Sequence, residues 1–448
     1  MLKFGTGRVD ITPRADLKSG AYCAADGISG GCHDKLFARI LAVSDGRENA
    51  IIAVCDLIAV PGKYARKIRT AICSQCDIAP DKIMISATHT HSSPDTMELF
   101  HEIDPAYIDY LGAQIADGVK TALSNLQECN LSVQECDLSG ISRNRRIKMK
   151  DGSVQAEWWN PDPAQIAGFG GPVDTALKIC RIEAVANHET KAVLVNYSCH
   201  QTVTARNKQY SSDFAGFAMD CIEQQTGVPA YYFNGACGDI NPAKNDSTFA
   251  EASRLGTMLA DRVLELLKSK FTHIVYSSSL NIKRQELELE WRDLPPLKEV
   301  QERVSTLRTE LARTKNSGGN IIAFLQPELR RAENLAEILK NGENKSTVKT
   351  EIQLMEFGPV KLISIPGELF TQLGMDITMN NENIWLTGNT NDYIGYIPTA
   401  AAYAEGGYEV VPWRLSKLKP GSGEKIREAA GNLLNPYSQP IKQLSQEV

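Results

Sequence analysis

Short apolar runs rich in Val, Ile and Leu alternate along this chain with longer amphipathic stretches, and this alternation restricts its fold more than any other feature. The runs Ala50 to Cys55 and Ala192 to Tyr197 are typical, because each is brief and each is followed within a few residues by polar or turn-forming positions. Brief buried strands separated by amphipathic helices are characteristic of layered α/β domains. We therefore predict an α/β fold with a layered, mixed β-sheet core and flanking helices.

The same alternation assigns most of the individual elements. The predicted strands are Leu36 to Val43, Ala50 to Cys55, Lys82 to Ala87, Leu177 to Ala184, Ala192 to Tyr197, Ala230 to Phe233, Ile274 to Ile282, Ile352 to Phe357, Val360 to Ile365 and Ile384 to Thr387. The predicted helices are Gly62 to Cys76, Pro105 to Leu126, Phe214 to Thr226, Phe249 to Lys268 and Leu369 to Asn380.

Residues 295–344 differ from the rest because they are highly charged and carry no strand pattern. Lys298 to Lys315 and Pro327 to Lys340 predict two helices joined by a turn at Ser317-Gly318-Gly319. We expect an inserted helical hairpin within a single domain that spans residues 1–448. Its leucines need a surface to pack on, so the hairpin either flanks the active site or serves as a solvated structural element.

Charge and hydropathy exclude several classes of partner. The chain has 448 residues, with 48 Lys and Arg against 54 Asp and Glu, and it carries no block of like charges. No feature favours nucleic acid or an anionic membrane. The longest apolar run, Ala50 to Val60, is interrupted by Asp56 and falls short of the roughly 20 residues of a membrane span. We expect a small-molecule substrate and no stable membrane association; a homo-oligomer, if formed, is by base rate a dimer.

Cysteine usage favours a reducing environment. The eleven cysteines are odd in number and scattered, and the first residues turn polar without the apolar stretch of a secretory signal. We therefore expect a cytoplasmic protein. Cys73-Ser74-Gln75-Cys76 has the CxxC spacing but no second pair, so we interpret it as two thiols near a helix end.

Two histidines follow the predicted strand Lys82 to Ala87 in the sequence Ala-Thr-His-Thr-His-Ser. In an extended chain, residues i and i+2 project from one face, so His89 and His91 would point together from the carboxyl end of a strand. Ligands of open α/β sheets lie at that edge. Two imidazoles there suit a divalent metal, most often zinc. The alternative is a pair of histidines hydrogen-bonded to neighbouring loops.

Two further strand ends offer candidate ligands. His200 ends the apolar run that begins at Ala192, and Glu368 follows the strand Val360 to Ile365 through a Pro-Gly pair. Zinc catalysis needs about three protein ligands and an open position for water. Separately, each residue also has a structural explanation, as a core histidine and as a carboxylate that stabilises a helix start.

A glycine-bearing loop, Asn234 to Pro242, follows the strand Ala230 to Phe233. Its small residues would let backbone N–H groups approach a substrate oxygen, although an ordinary turn has the same composition. The chain has no HExxH helix, and between a strand and a helix it has neither a GxSxG nucleophile elbow nor a dinucleotide-binding glycine motif. The histidine and carboxylate candidates are therefore the main chemical signal.

Taken in order, these segments resemble the neutral/alkaline ceramidase family, which are zinc-dependent amidases with an α/β catalytic domain. The resemblance includes Gly-Thr-Gly-Arg-Val-Asp-Ile-Thr-Pro at 5–13, His-Asp-Lys-Leu-Phe-Ala-Arg at 33–39, Ala-Thr-His-Thr-His-Ser at 87–92, Ser-Arg-Asn-Arg at 142–145, His200, Ser-Ser-Asp-Phe-Ala-Gly at 211–216, Asn-Gly-Ala-Cys-Gly-Asp-Ile-Asn-Pro at 234–242 and Pro-Gly-Glu at 366–368. Each motif is short, and their shared order is the specific part.

The resemblance implies the following roles. The zinc ligands are His89, His200 and Glu368, joined by a tyrosine hydroxyl that aligns with Tyr396, or with Tyr393 if the alignment shifts. His91 lies beside the metal as general base or proton shuttle. Arg145 contacts the substrate or the oxyanion, which Tyr396 also stabilises. Substrate contacts come from Arg145, Asn234, Gly235 and Asn241. Apart from the resemblance, Asp213 and Asp239 are candidates to orient the imidazoles, but helix N-capping for Asp213 and turn formation for Asp239 are the favoured interpretations.

Three departures bear on the substrate. Asn241 stands where ceramide-cleaving members have Ser, the chain ends soon after the catalytic segment without the C-terminal immunoglobulin-like domain of larger ceramidases, and the start lacks a secretory signal. We therefore predict a zinc-dependent hydrolase that cleaves a linear amide bond of a small N-acyl compound through metal-activated water. The alternatives are a zinc-dependent ester or lactone hydrolase, a ligand-binding protein without catalysis and, less favoured, a lipid hydrolase at the membrane surface.

Overall fold

The computed structural model of the chain describes residues 1–13, 30–99, 102–159, 161–243, 246–269, 271, 279–314, 319–379 and 383–434. Its strands are β1 Lys3–Asp10, β2 Phe37–Ser44, β3 Asn49–Cys55, β4 Ile83–Ala87, β5 Gln127–Asp137, β6 Ser142–Asn144, β7 Arg146–Met149, β8 Val154–Ala156, β9 Ile166–Phe169, β10 Ala176–Ala184, β11 Thr190–Tyr197, β12 Ala230–Asn234, β13 Ile240–Pro242, β14 Leu280–Leu289, β15 Val348–Phe357, β16 Val360–Ser364, β17 Glu368–Leu369, β18 Ile384–Thr387 and β19 Tyr396–Ile397. Its helices are α1 Gly62–Cys73, α2 Pro105–Ser124, α3 Asp213–Thr226, α4 Phe249–Lys268, α5 Leu297–Thr314, α6 Gly319–Asn341, α7 Thr371–Thr378, α8 Ala400–Glu405 and α9 Ser422–Leu434.

The larger sheet has the order β12-β11-β10-β5-β1-β2-β3-β4. Most neighbours are antiparallel, but the outermost pairs, β3 with β4 and β11 with β12, are parallel. Helix α1 makes the crossover in the first pair and α3 in the second. Parallel neighbours direct their carboxyl ends to the same edge, so both ends of this sheet present strand ends for a site.

A smaller sheet of order β14-β15-β16-β18 packs face to face on the larger one. Phe4 and Leu194 of the larger sheet share a core with Met355 and Leu362 of the smaller sheet. Alternate residues of the same strands face outward, where α1 to α4 cover the larger sheet and α7 and α9 cover the smaller one. The result is an α/β/β/α stack of four layers, which confirms the predicted α/β class.

Two central strands were not predicted, and their sequences explain why. β1 contains Gly5 and Gly7, and glycine is normally depleted in strands. Here glycine is required because α2 lies against the strand: a Cβ on Gly7 would stand 2.3 Å from the carbonyl oxygen of Gly118. β5 was not predicted because its sequence is largely polar, since the strand is only partly buried.

Most predicted elements lie within a few residues of the observed ones, with three corrections. The first helix ends at Cys73 rather than Cys76, and the helix expected from Leu369 begins at Thr371 because Leu369 belongs to β17. The predicted strand from Ile274 lies partly outside the described residues, and β14 continues seven residues beyond its predicted end at Ile282, to Leu289.

The predicted hairpin corresponds to α5 and α6, but α6 begins at Gly319 rather than at Pro327. Proline is common in a first helical turn, so the sequence favoured a start there. The helix instead continues through this position, and the turn before it contributes Leu325 to the buried core. The turn residues 317–318 lie outside the described chain. That the hairpin is an insertion within one domain stays a prediction.

The hairpin packs on the segment that precedes α9. The guanidinium of Arg331 in α6 lies 5.0 Å from the ring centroid of Tyr408, and the backbone N–H of Arg414 donates to Asn334 Oδ1 at 3.2 Å. Of the two expectations for the hairpin, this contact favours a location beside the candidate site, because Tyr408 also contacts site residues described below.

Two properties of the described chain bear on its setting. The ten cysteines within it, Cys73 and Cys76 included, are all free thiols. No helix in the described ranges combines the length and the apolar character needed to cross a bilayer.

The contact between β1 and α2 gives a stability prediction. In Gly5→Ala the new Cβ would lie 1.9 Å from the carbonyl oxygen of Ala122, so the helix or the strand must shift. We expect a loss of about 1–3 kcal/mol in the free energy of unfolding, measured by urea denaturation. The control is Gly431→Ala in α9, where a Cβ meets nothing within 4 Å and helix propensity improves. Equal denaturation midpoints for the two variants would contradict the packing account.

Candidate metal centre

Three chain segments bring four chemical groups to one edge of the two sheets. His89 and His91 follow β4, His200 follows β11, and Glu368 follows β16 at the start of β17. Each of these parent strands belongs to a parallel pair, so their carboxyl ends lie together. The structure thus brings together the histidines and the glutamate that the sequence singled out.

The reactive atoms of these side chains converge. Glu368 Oε2 lies 2.9 Å from His200 Nε2 and 3.6 Å from His89 Nε2. His91 Nε2 lies 3.4 Å from His89 Nε2. The ligand atoms of the three histidines all lie within 4.8 Å of one another, a grouping that could hold a metal ion. His89, His200 and Glu368 are nearly fully buried, and His91 is partly exposed.

Backbone carbonyl groups determine the tautomers of two imidazoles. His89 Nδ1 lies 2.5 Å from the carbonyl oxygen of Ile58, and His200 Nδ1 lies 2.6 Å from that of Cys237 and 3.0 Å from that of Ile240. A carbonyl oxygen only accepts hydrogen bonds, so each Nδ1 carries the proton. In the neutral imidazole, each Nε2 therefore presents a lone pair to the centre of the cluster.

Those lone pairs face a carboxylate that has no hydrogen-bond donor. Glu368 Oε2 is buried and accepts no hydrogen bond, although His200 Nε2 is only 2.9 Å away. Two acceptors at that distance repel each other unless a cation lies between them. Bonds of about 2.0–2.1 Å in tetrahedral geometry put neighbouring ligand atoms roughly 3.4 Å apart. The donor set of His89, His200 and Glu368, with His91 adjacent, therefore fits a divalent metal ion.

Electrostatics keep two of the imidazoles neutral, as metal ligation requires. Burial and the nearby Arg145 guanidinium lower the pKa of His200 to about 4. Burial also lowers the pKa of His91 well below its ordinary value, with contributions from His89 and His200. Both side chains are therefore uncharged near neutral pH.

The local backbone differs from the predicted extended segment at the first histidine. His89 has a φ of +71°, in the left-handed region, and its N–H donates to the carbonyl of Leu57 at 2.9 Å. The two histidines therefore meet through a turn rather than through strand alternation. The loop after β12 also approaches the site closely. Position 238 must be glycine because a Cβ there would lie 2.4 Å from the carbonyl oxygen of Glu368.

Two tyrosines lie beside the cluster in different ways. The hydroxyl of Tyr393 donates a hydrogen bond to Glu368 Oε1. Burial and the adjacent Glu368 raise the pKa of Tyr393 well above its usual range, which keeps this hydroxyl protonated. Tyr396 instead lies against Arg145, whose Cζ atom is 5.4 Å from the ring centroid. The direct contact with Glu368 favours Tyr393 as the tyrosine of the ligand group, while the assignment to Tyr396 stays a prediction.

Arg145 is a buried cation at the edge of the cluster. Its Nη1 lies 3.3 Å from His200 Nε2 and donates to Asn241 Oδ1 at 3.2 Å, and its Nη2 donates to the carbonyl of Gly238 at 2.8 Å. Glu409 accepts from its Nε at 2.8 Å and from Arg146 Nη1 at 3.0 Å. Glu409 was not predicted from the sequence. The available signal was the Arg-rich stretch 143–146, because buried arginines need carboxylate partners.

The polar groups of the glycine-bearing loop 234–242 mostly form hydrogen bonds to neighbouring parts of the protein. The N–H groups of Gly235 and Gly238 donate to the carbonyls of Tyr197 and Leu369. Asn234 Nδ2 donates to the carbonyl of Thr88 at 3.2 Å, and Asn241 Nδ2 donates to Glu157 Oε1 at 2.7 Å. Substrate contacts by Asn234, Gly235 and Asn241 therefore stay predictions, and these bonds leave Gly235 no free N–H to offer.

The expected orienting carboxylates make other contacts. Asp239 accepts from Thr371 at 2.8 Å and from Asn144 at 2.9 Å, and Asp213 accepts from Thr204 and Phe214. Their less favoured role, holding the imidazoles, is contradicted because the carbonyls described above occupy the Nδ1 positions. Both aspartates instead stabilise turns and the starts of helices.

These features define an α/β protein whose stacked sheets present a buried histidine–carboxylate cluster of the kind that can hold a metal. The chain belongs to the neutral/alkaline non-lysosomal ceramidase family, whose N-terminal model matches residues 2–248. A search of curated proteins finds no match.

Solved structures show the same fold. The neutral ceramidase from Pseudomonas aeruginosa is similar with a TM-score of 0.71 and 16% identity, over 98% of this chain and 75% of that chain. A ceramidase complexed with C2 is similar with a TM-score of 0.71 and 17% identity, over 97% and 75%. Membership of this family implies a metal-dependent hydrolase of the amide-cleaving kind.

Proposed function

We propose that this protein is a zinc-dependent hydrolase that cleaves a linear amide bond of a small N-acyl compound. The observation that carries the proposal is the convergence of two unprotonated imidazole nitrogens, on His89 and His200, with a buried carboxylate oxygen that lacks any donor. A set of nitrogen and oxygen donors with one side partly open suits catalytic zinc.

His89, His200 and Glu368 would hold the ion, supported by the hydroxyl of Tyr393 or Tyr396. A bound zinc ion supplies a Lewis acid for the scissile carbonyl and lowers the pKa of water. His91 is the partly exposed member of the cluster and is neutral, so its imidazole can accept a proton from water and pass it to the leaving amine.

Arg145 and Tyr396 lie together where an oxyanion would need stabilisation. The guanidinium is fixed by Glu409 and by the carbonyl of Gly238, so its orientation does not depend on substrate. Preorganised donors of this kind lower the energy of a developing oxyanion without reorganisation. Asn241 presents an amide bonded to both Arg145 and Glu157, so no serine-dependent step is carried over to this position.

Two alternatives share the same residues. An ester or lactone hydrolase would use the same metal, because zinc-activated water attacks any activated acyl carbon. A ligand-binding protein without catalysis is the alternative that Asn241 suggests. A cytoplasmic setting and a dimeric state also remain predictions.

The activity itself is the first test. We expect the zinc-loaded protein to hydrolyse N-acyl amides, and chelation to abolish turnover reversibly, because the proposed site loses its Lewis acid. Amide and ester substrates with the same acyl group, assayed side by side for kcat/KM, separate the first alternative. His200→Ala should abolish turnover, and Lys419→Ala, an exposed surface change, is the control. Turnover of esters alone favours the ester alternative, and no turnover of either class contradicts a hydrolase.

The two tyrosines give a separate prediction. Tyr393→Phe removes the hydroxyl that bonds Glu368, so we expect metal affinity to fall about 10–100-fold, as for other groups that orient a metal ligand. Tyr396→Phe should leave metal affinity unchanged and lower kcat. Competition with a zinc chelator measures the affinity. A large loss of affinity in Tyr396→Phe with none in Tyr393→Phe would instead identify Tyr396 as the tyrosine of the ligand group.

A further inference from the structure

Arg331 of the hairpin helix α6 is a buried cation whose guanidinium has donors without a hydrogen-bond partner. The residue is 4% exposed, and its Nη2 bonds a carboxylate oxygen of Glu328 one turn earlier in the helix. Its Nε and Nη1 atoms are buried and have no hydrogen-bond partner within the described structure. Buried guanidinium groups are normally satisfied by carboxylates or phosphates, so these N–H groups are suited to an anion.

This guanidinium and that of Arg145, at the edge of the candidate metal centre, both lie near the ring of Tyr408. Its Cζ atom lies 5.0 Å from the centroid of Tyr408, and the Cζ of Arg145 lies 5.9 Å from the same centroid. The two Cζ atoms are therefore separated by no more than the sum of these distances, about 11 Å. Tyr408 also packs on Tyr396, at 5.8 Å between centroids, and on the half-exposed Trp158, at 4.9 Å.

Arg145 and Arg331 differ in how many of their guanidinium nitrogens lack a hydrogen-bond partner. Every nitrogen of the Arg145 guanidinium already has a partner, in Glu409, Asn241, the carbonyl of Gly238 or His200. Arg331 has two nitrogens without one. Arg145 therefore has one N–H left for the proposed oxyanion, and a carboxylate beside Tyr408 would find its donors on Arg331, whose Cζ atom lies no more than about 11 Å from that of Arg145.

We infer that the substrate carries a carboxylate, and that Arg331 binds it while the scissile amide lies at the metal centre. This inference rests on the proposed amidase function and names its substrate class: N-acyl compounds with a carboxylate close to the amide bond. The rings of Tyr408 and Trp413 pack near the Arg331 guanidinium, and its Cζ atom lies 5.9 Å from the ring centroid of Trp413. The hairpin thus contributes specificity to the site.

The test compares pairs of substrates that differ only in charge. N-acylglycines are matched by N-acylglycinamides with the same acyl chain, which place the anion on the amine half. N-methylsuccinamic acid and its neutral amide place it on the acyl half. We expect the zinc-loaded protein to prefer the anionic member of at least one pair by about tenfold or more in kcat/KM, because a site built to pair a polar group rejects analogues that lack it.

Variants at Arg331 connect the preference to this residue. Arg331→Met should reduce it to within about twofold, mainly through KM, and Arg331→Lys should keep part of it because the charge remains without the planar fork. Glu328→Gln should retain it, since the guanidinium is intact. The control is Arg308→Met, an exposed arginine of the same hairpin paired with Glu333. Thermal unfolding of each variant identifies any loss of folding.

The outcomes separate this inference from the proposed function. Equal turnover of charged and neutral partners by the wild type, or a preference unchanged in Arg331→Met and Arg331→Lys, overturns the inference and leaves the amidase proposal standing. If no amide is cleaved, the proposed function fails, and calorimetric binding of the same pairs decides the inference. Tighter binding of the anion that is lost in Arg331→Met supports it, and equal binding overturns it.

Discussion

The site depends on the close approach of the buried Glu368 carboxylate to the imidazole lone pairs of His89 and His200, which repel it unless a cation lies between them. Glu368 Oε2 has no donor, and the nearest atoms, His200 Nε2 and His89 Nε2, are acceptors because carbonyl groups hold the protons on their Nδ1 atoms. Such a cluster is unfavourable unless a cation completes it. The four-layer fold keeps these groups together because each lies directly after a strand in the rigid core.

The fold prepares this arrangement at several levels. Parallel pairs at both ends of the larger sheet, and one in the smaller sheet, direct their carboxyl ends to one edge. Gly238 lets its loop pass close to the backbone of Glu368, where any side chain would collide. Glu409, bonded to both Arg145 and Arg146, fixes a cation beside the cluster. The residues that support the site therefore come from segments far apart in sequence.

Much of this could be predicted from the sequence, for physical reasons. Buried strands such as β3 and β11 are short, apolar and bounded by turns, and His89, His200 and Glu368 stand at strand ends where α/β sheets bind ligands. Strands β1 and β5 could not be predicted in this way. The glycines of β1 serve a contact with α2 that only the tertiary structure shows, and β5 is polar because one of its faces is only partly covered.

Other features depend on contacts between distant residues. The partners of Arg145 and the open donors of Arg331 follow from how residues 405–414 lie against the hairpin, and no local pattern encodes that. The same holds for the tautomers of His89 and His200, which depend on the carbonyls of Ile58, Cys237 and Ile240. Asp213 and Asp239 could have oriented the imidazoles by their place in the motifs, but they bond the N–H groups of Phe214 and Thr371, in line with the capping and turn roles that the sequence favoured.

The central claim is that this cluster binds a divalent metal, and metal content tests it most directly. Elemental mass spectrometry of the purified protein, after incubation with zinc and removal of the excess, is predicted to give about one zinc ion per chain. His89→Ala and His200→Ala are each predicted to lose it. Absence of zinc from the reconstituted wild type, or its retention in both variants, would contradict the account.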